Sequence, residues 1–285
     1  MNQKNISLFV LLFISLFLLN CEDDLLKPSY IELSGAEIPY DDSGATKHLN
    51  VAAVALNCDL ERENNISNME TMIDRIMSEK PETELIVFGE TITGWYYNKD
   101  NPKEYQKSIA ESIPGNATNR MDSLATNYKI HIIFGISEIK NDTLYNSQVA
   151  INPEGVIIAI HRKNWLFYLD EESGFTPIRN AEVIDIKGIR AGLMICADSD
   201  NLWLTKKYIE EKVDVIIHSN STKDSEYNFS VGARRFNSWV ISANRSGKED
   251  DNEYRGMIYI ADPAGNIRAG GTGDNWYTFY QINVF

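Results

Sequence analysis

Three side chains of types suited to nucleophilic catalysis each stand at the end of an apolar run. Cys196 ends the run in "AGLMICADSD", Glu90 ends "LIVFGE", and Lys163 ends "AIHRK". A cysteine thiolate can attack a carbonyl carbon, a partly desolvated glutamate can accept the thiol proton, and a lysine ammonium can stabilise the resulting oxyanion. The three residue types together indicate acyl-transfer chemistry through a covalent cysteine intermediate.

The residues around Cys196 predict a buried strand that gives way to a helix. The helix is expected to begin near Leu202, with Asp198 or Ser199 as its N-cap. A thiol facing a helix N-terminus has its thiolate favoured by the helix dipole. Taken alone, a cysteine in an apolar segment is more often a packing residue. A disulfide between Cys196 and Cys58 is left open.

Two kinds of base are available to a cysteine nucleophile in this chain. Papain-like chemistry would use an imidazole, and His161 and His218 both lie near strand ends. Glu90 is the other candidate, since a carboxylate at the end of an apolar strand can be desolvated. His161 precedes Lys163 by two residues, so in a strand both side chains point to the same face.

Motifs for several other chemistries are missing from the sequence. Of its four histidines none forms an i, i+4 pair, and there is no Cys-x-x-Cys, Gly-rich phosphate loop or Gly-x-Ser-x-Gly elbow. We therefore expect no metal and no cofactor. The net charge of -14 argues against a nucleic-acid partner, because phosphates would be repelled.

Short apolar runs alternate with amphipathic segments from His48 onward, which predicts an α/β domain over residues 47–285. One pair of strands is expected to bend at Pro153–Gly155, and another to turn at Lys187–Gly188. Helices are predicted after the first strand, over 105–113, 117–129, 202–212 and 227–239, and a hairpin closes the chain near residues 255–271.

The order Glu90, Lys163, Cys196 and the segments around them resemble the nitrilase (carbon–nitrogen hydrolase) superfamily. The similar segments include "LIVFGETITGW", "LYNSQVAINPEGVIIAIHRKN", "FTPIRNAEVIDIKGIRAGLMICAD" and "YIADPAGNI". The resemblance implies a four-layer α-β-β-α sandwich with the site at the strand ends. It also implies that Glu90 is the general base, Lys163 the oxyanion-stabilising lysine and Cys196 the nucleophile.

Many members of this superfamily carry a second glutamate that positions substrate and assists proton transfer. The stretch "DEESGFTPIRN" places Glu171 at that position, with Glu172 as the alternative. The chain departs from the family pattern nearby: Gly89 stands where Pro is common, Ile178 replaces a Gly, and Ala197 replaces an aromatic residue.

The resemblance implies hydrolysis of a non-peptide carbon–nitrogen bond (amide, N-carbamoyl or, less favoured, nitrile) through a cysteine thioester, with no cofactor. It also implies a homodimer formed through helices. Two alternatives remain at this point, a catalytically silent ligand-binding lipoprotein and an acyltransferase that uses the same thioester. Aromatic residues in three loops predict an apolar or planar part of the substrate: Trp95–Tyr97, Phe167–Phe175 and Asp198–Trp203.

The N-terminus predicts export from the cytoplasm. An apolar run follows Lys4 and ends at Cys21, which is short for a membrane span and typical of a signal peptide. "LLNC" resembles the lipobox of bacterial lipoproteins, although Asn20 stands where a small residue is usual. We expect a signal peptide over 1–20, a lipid on Cys21 and a polar tether over 21–46. The globular domain would then be anchored to a membrane of the bacterial cell envelope; an uncleaved anchor helix is the alternative.

Overall fold

The computed structural model describes residues 38–223 and 233–285. The predicted signal peptide, Cys21 and most of the predicted tether lie outside these residues. The predicted helix over 227–239 also lies partly outside them, and its described residues 233–236 are helical. Among the described helices, none combines the length and the hydropathy needed to cross a membrane.

The chain combines strands with helices, and several of the strands follow one another directly. The strands are β1 (Lys47–Asn57), β2 (Leu85–Val87), β3 (His131–Lys140), β4 (Thr143–Ile151), β5 (Ile157–Arg162), β6 (Val183–Ile186), β7 (Ile189–Ile195), β8 (Val215–Ser219), β9 (Trp239–Glu249), β10 (Asn252–Arg255), β11 (Ile258–Ala261), β12 (Ile267–Gly271) and β13 (Trp276–Val284). The helices are α1 (Arg62–Glu79), α2 (Pro102–Ile109), α3 (Asn116–Tyr128), α4 (Tyr168–Glu172) and α5 (Leu202–Glu210), with a 3₁₀ turn over Cys196–Asp200.

The strands are ordered β5-β4-β3-β2-β1-β9-β8-β7-β6. In this order, the six central strands β3-β2-β1-β9-β8-β7 pair in parallel with their neighbours. At one end β4 pairs antiparallel with β3 and β5 with β4, and at the other end β6 pairs antiparallel with β7. Strand β9 belongs to both halves, because its first part pairs with β8 and its later part, Asn244 to Ser246, pairs with β1. The result is two sheets that share one long strand.

The apolar pattern of the strands explains the layering. In β1 alternate side chains enter two different clusters, Val51, Ala53 and Ala55 in one and Ala52, Val54 and Leu56 in the other. The first cluster fills the space between the two sheets, since it also contains Leu193 and Ile217 from β7 and β8. The second packs against α1 and α3, and a third cluster packs α5 on the far face. This is the four-layer α-β-β-α sandwich that the sequence predicted.

Most predicted elements are confirmed, and helix α2 shows an instructive difference. The helix predicted over 105–113 ends at Ile109. Residue Glu111 instead runs beside β3, where its amide N donates to the Ser137 carbonyl oxygen at 3.1 Å. The Glu111 carboxylate then accepts from the amides of Asn116 and Ala117 at 2.9 and 2.8 Å. It thereby satisfies two free N–H groups in the first turn of α3.

The N-cap of α5 is a second difference. The side chain of Asn201 accepts from the amides of Trp203 and Leu204 at 3.0 and 3.2 Å, so Asn201 is the cap. The prediction of Asp198 or Ser199 was wrong because the 3₁₀ turn separates Cys196 from the helix. The side chain of Asp198 bonds elsewhere, as described below.

Candidate active site

Four polar side chains meet at the ends of the first sheet's strands. Glu90 follows β2, Lys163 follows β5, Asn146 lies in β4 and Asp170 lies in α4; all four are buried. Lys163 Nζ donates to Glu90 Oε1 and to Asp170 Oδ2, each at 2.6 Å. Asn146 Nδ2 donates to Glu90 Oε1 at 2.7 Å and to Asp170 Oδ1 at 3.0 Å. Two carboxylates therefore flank one ammonium, with a neutral amide between them.

Close backbone packing fixes the position of Glu90. Its amide N donates to the Asn220 carbonyl oxygen at 3.0 Å. Gly135 in β3 lies against the other side of the Glu90 segment. A Cβ at position 135 would lie 2.5 Å from the amide N of Thr91 and 2.7 Å from Glu90 Cα. Only glycine leaves room for this approach, so position 135 does not accept a larger residue without displacing the Glu90 backbone.

A buried ion pair secures the loop that follows Glu90. Arg245 and Glu249 are both fully buried and form an ion pair of 2.5 Å. Arg245 Nη1 donates to the Glu90 carbonyl oxygen at 2.9 Å, and Nη2 donates to the Gly94 carbonyl oxygen. Glu249 Oε2 accepts from the amide of Tyr96 at 2.9 Å. Both charges are thus satisfied by backbone groups of one loop, which holds that loop in place.

Cys196 lies where β7 ends and the 3₁₀ turn begins. It has a φ of 40°, an uncommon conformation for a residue with a side chain. The Cys196 carbonyl oxygen lies 3.0 Å from His218 Nε2, which can donate to it in the neutral tautomer. Strained backbone of this kind persists only where the surrounding structure determines it, and it occurs often at active sites. Cys196 and Cys58 are both free thiols.

The charges around Cys196 oppose its ionisation. Burial raises the pKa of the Cys196 thiol, and the negative charges of Glu90 and Asp170 raise it further, while Lys163 acts in the opposite direction. A helix dipole was predicted to favour the thiolate, but the 3₁₀ turn separates Cys196 from the N-terminus of α5, and the balance of burial and nearby charges favours the neutral thiol. A resting thiol at this position needs a base at the moment of attack.

The lysine and its second carboxylate respond differently to burial. Burial alone would lower the pKa of Lys163, but the charges of Asp170 and Glu90 outweigh it and raise that pKa well above its ordinary value. Burial raises the pKa of Asp170 although the nearby Lys163 charge lowers it. Lys163 consequently stays a cation at neutral pH and can act on a developing negative charge.

The structure brings Glu90 and Lys163 together as predicted, but neither Glu171 nor Glu172 joins them. Glu171 is exposed, and the exposed Glu172 accepts from the hydroxyl of Tyr97. The acid that contacts Lys163 is Asp170, which sequence reasoning missed. Helix α4 is a single turn, and a shift of one residue rotates a side chain by about 100°. Spacing from Phe175 alone therefore selected an acid that does not contact Lys163 in the structure.

Asp198 is a second residue that sequence reasoning missed. It is fully buried and accepts from His161 Nε2 at 2.9 Å and from the amides of Asn164 and Trp165 at 2.8 and 2.9 Å. It also accepts from the amide of Ile195 at 3.2 Å. This carboxylate therefore ties the segment after the lysine to the segment that carries the cysteine. An acid two residues after the candidate nucleophile was the available signal.

The two histidines considered as bases have other roles in the structure. His161 bonds Asp198, and its ring is fully buried. Burial lowers the pKa of His218 to about 4, so its imidazole is neutral at pH 7. Of the predicted aromatic loops, Trp95–Tyr97 reaches the site, since the ring centroid of Tyr96 lies 5.8 Å from Lys163 Nζ. Within residues 38–223 and 233–285, no group of three or more His, Cys, Asp or Glu side chains is placed to hold a metal ion.

Comparison with known proteins agrees with this fold. Residues 50–277 match the carbon-nitrogen hydrolase family. The chain therefore belongs to this family and is a carbon–nitrogen hydrolase of the amidase-like kind, in which a cysteine is the nucleophile.

Individual relatives are distant. The omega-amidase NIT3 of Saccharomyces cerevisiae is 31% identical over 145 residues, a match that spans 47% of this chain and 50% of that protein. A nitrilase of Pyrococcus abyssi is 29% identical over 227 residues, which cover 77% of this chain and 83% of the relative. The solved structure of an amidase from Nesterenkonia sp. AN1 superposes with a TM-score of 0.74 at 15% identity, covering 88% of this chain and 94% of that one. This last similarity concerns the fold alone.

Proposed function

We propose that the protein hydrolyses the non-peptide carbon–nitrogen bond of a small amide or N-carbamoyl compound, with a nitrile as the less favoured substrate. Its triad is Glu90, Lys163 and Cys196, and the intermediate is a Cys196 thioester. One observation carries the proposal: buried Glu90 holds Lys163 through Oε1, while its Oε2 has no hydrogen-bond partner within the described part of the chain. That oxygen is available to take a proton.

In the proposed reaction, Glu90 Oε2 accepts the Cys196 proton as Sγ bonds to the carbonyl carbon. The Lys163 ammonium and the backbone N–H of Ala197 stabilise the oxyanion, and one such donor is worth about 3–4 kcal/mol. Glu90 returns its proton to the leaving nitrogen as the carbon–nitrogen bond breaks. Water then loses a proton to Glu90 and adds to the thioester, and the carbon–sulfur bond breaks to release the acid and the thiol.

Asp170 takes the part that the family gives to its second glutamate. Its contact with Lys163 supports this assignment, and the exposure of Glu171 argues against the residue favoured by spacing. No step needs a cofactor. Loss of the family's aromatic residue at Ala197 changes the wall beside the nucleophile, so the substrate of a named relative does not transfer directly.

Ammonia release from a panel of compounds tests the proposed function. The panel holds simple amides, omega-amides of dicarboxylic acids, N-carbamoyl compounds and nitriles. We expect release from at least one amide or N-carbamoyl compound and none from the Cys196→Ala variant. Binding without release would favour the silent ligand-binding alternative, and amide exchange with an added amine would favour the acyltransferase.

We also propose that the protein is a lipid-anchored protein of the bacterial cell envelope. The apolar run before Cys21 and the lipobox-like "LLNC" support this proposal. Labelled fatty acid should enter the protein at Cys21 in vivo, and Cys21→Ser should remove the label. An unmodified mature N-terminus elsewhere in the chain, found by mass spectrometry, would contradict it.

We propose, finally, that the protein forms a homodimer. Large apolar side chains are exposed on α5 and on the loop after Lys163: Leu202, Ile209, Trp165, Phe167 and Tyr168. Side chains of this kind are enriched at contacts between subunits. Sedimentation of the globular part should give the mass of two chains, and Ile209→Glu should lower the dimer's stability.

A further inference from the structure

The side chain of Asn146 makes contacts that the proposed triad does not explain. It lies in β4 and is almost fully buried. Its Nδ2 group donates to Glu90 Oε1 and to Asp170 Oδ1. Its backbone carbonyl oxygen accepts from the backbone amide of Lys163 at 2.8 Å. One carboxamide thus contacts both carboxylates of the cluster, and the backbone of the same residue bonds the backbone of Lys163.

The carboxamide of Asn146 also stabilises the excess negative charge of the buried cluster. Glu90 and Asp170 share a single cation, Lys163, so the buried cluster has an excess negative charge. A neutral donor between the two carboxylates stabilises both without adding charge. Asn146 is the donor that occupies this position.

These hydrogen bonds also fix the orientation of the Glu90 carboxylate. Its Oε1 accepts from both Lys163 Nζ and Asn146 Nδ2, at 2.6 and 2.7 Å. With two donors on one oxygen, the carboxylate has little freedom to rotate. Its Oε2 is buried and forms no hydrogen bond to any described residue. This arrangement leaves Oε2 available to accept the proton of the nucleophile and, in the second step, a proton from water.

We infer that Asn146 is a positioning residue for the general base: its carboxamide sets the orientation of Glu90 and separates the two acids around Lys163. This inference rests on the proposed function, since it assigns to Glu90 the transfer of the Cys196 proton. Asn146 acts through Glu90 and does not touch the reacting bond.

Two substitutions test the inference. Asn146→Ala removes both donated hydrogen bonds, and Asn146→Ser keeps one hydroxyl donor. We expect kcat to fall by about 10²-fold in Asn146→Ala and less in Asn146→Ser, with KM within about threefold of wild type. The matched control is Ser147→Ala, which removes a buried hydrogen bond of 2.7 Å to Glu138 from the adjacent residue of the same strand. Its kcat should stay near wild type.

A double variant separates positioning from general support of the fold. If Asn146 acts through Glu90, then adding Asn146→Ala to Glu90→Gln should cost less than about tenfold in kcat, against about 10²-fold in the wild-type background. A purely structural role would multiply the two losses. Thermal unfolding checks that Asn146→Ala is folded under the assay conditions; should it fail to fold, Asn146→Ser in both backgrounds decides.

The outcomes separate this inference from the proposed function. An active Cys196→Ala variant would overturn the proposed function itself. An inactive Cys196→Ala beside an Asn146→Ala variant with wild-type kcat, or with losses that multiply in the Glu90→Gln background, would overturn only the role of Asn146.

Discussion

At the scale of single residues, the site combines a thiol that resists ionisation with a cation that is always present. The surroundings of Cys196 raise its pKa, and the two carboxylates beside Lys163 keep that residue charged. A free thiolate would be scarce at neutral pH, so proton removal must accompany attack. In the proposed mechanism, Glu90 Oε2 takes this proton as the thiol attacks.

The first prediction concerns which acid completes the site. Asp170→Asn should lower kcat by about 10²-fold, because Lys163 loses one of its two carboxylate partners and shifts within the site. Glu171→Gln is the matched control one residue away, and it should change kcat by less than about twofold because Glu171 is exposed. Steady-state rates of the two variants decide whether Asp170 or Glu171 is the second acid. An inactive Glu171→Gln beside an active Asp170→Asn would restore the assignment made from sequence spacing.

At the scale of the elements, β3 approaches the Glu90 segment too closely for a side chain at position 135. We predict that Gly135→Ala lowers kcat by about 10²-fold, because the new Cβ must displace the backbone of Gly89, Glu90 or Thr91. The free energy of unfolding should also fall, by about 1–3 kcal/mol.

Gly44→Ala is the control for this substitution. A Cβ at position 44 would meet only the side chain of Phe285, at 3.4 Å, so activity and stability should both stay near wild type. Kinetics and urea unfolding of the two variants test the constraint. A fully active Gly135→Ala would show that the Glu90 segment tolerates displacement.

Elements also show what the sequence could predict. Strands β5 and β7 follow from apolar runs and from the turn residues at Pro153–Gly155 and Lys187–Gly188, and they place Lys163 and Cys196 at strand ends. The inward acid of α4 could not be predicted, because a helix of one turn leaves no periodic pattern from which to read its facing side. Asp198 was likewise assigned to the nearest helix, although its partners come from a segment more than 30 residues away.

At the scale of the whole molecule, the site depends on both sheets. Glu90, Asn146 and Lys163 extend from the first sheet, whereas Cys196 and His218 belong to the second. The apolar cluster between the sheets and the shared strand β9 hold the segments of Glu90 and Cys196 relative to each other. Arg245, which holds the Glu90 loop, lies in this same strand.

Burial of His218 predicts how the stability of the fold depends on pH. Its folded pKa is about 4, below the ordinary value of 6.5, so the unfolded chain binds a proton first as pH falls. Stability is therefore lost between about pH 6.5 and pH 4. This group alone should lower the free energy of unfolding by about 2 kcal/mol between pH 7 and pH 5.

His218→Gln tests this linkage, because glutamine can still donate to the Cys196 carbonyl oxygen but does not titrate. Urea unfolding at pH 7 and pH 5 should show a smaller loss of stability in the variant than in the wild type. Equal losses in the two proteins would mean that His218 does not titrate as its burial requires.

Mass spectrometry of the enzyme stopped during turnover is the most direct test of the central claim, a covalent thioester on Cys196. Acid quenching followed by peptide mapping should find the acyl part of the substrate on Cys196 alone. Buried Cys58, whose pKa burial raises to about 12, should carry none. Slowing the second step with Glu90→Gln should not move the adduct to another residue, and Cys196→Ala should give neither adduct nor product. Steady turnover by Cys196→Ala at a rate near wild type, with no acylated cysteine in either protein, would contradict the mechanism.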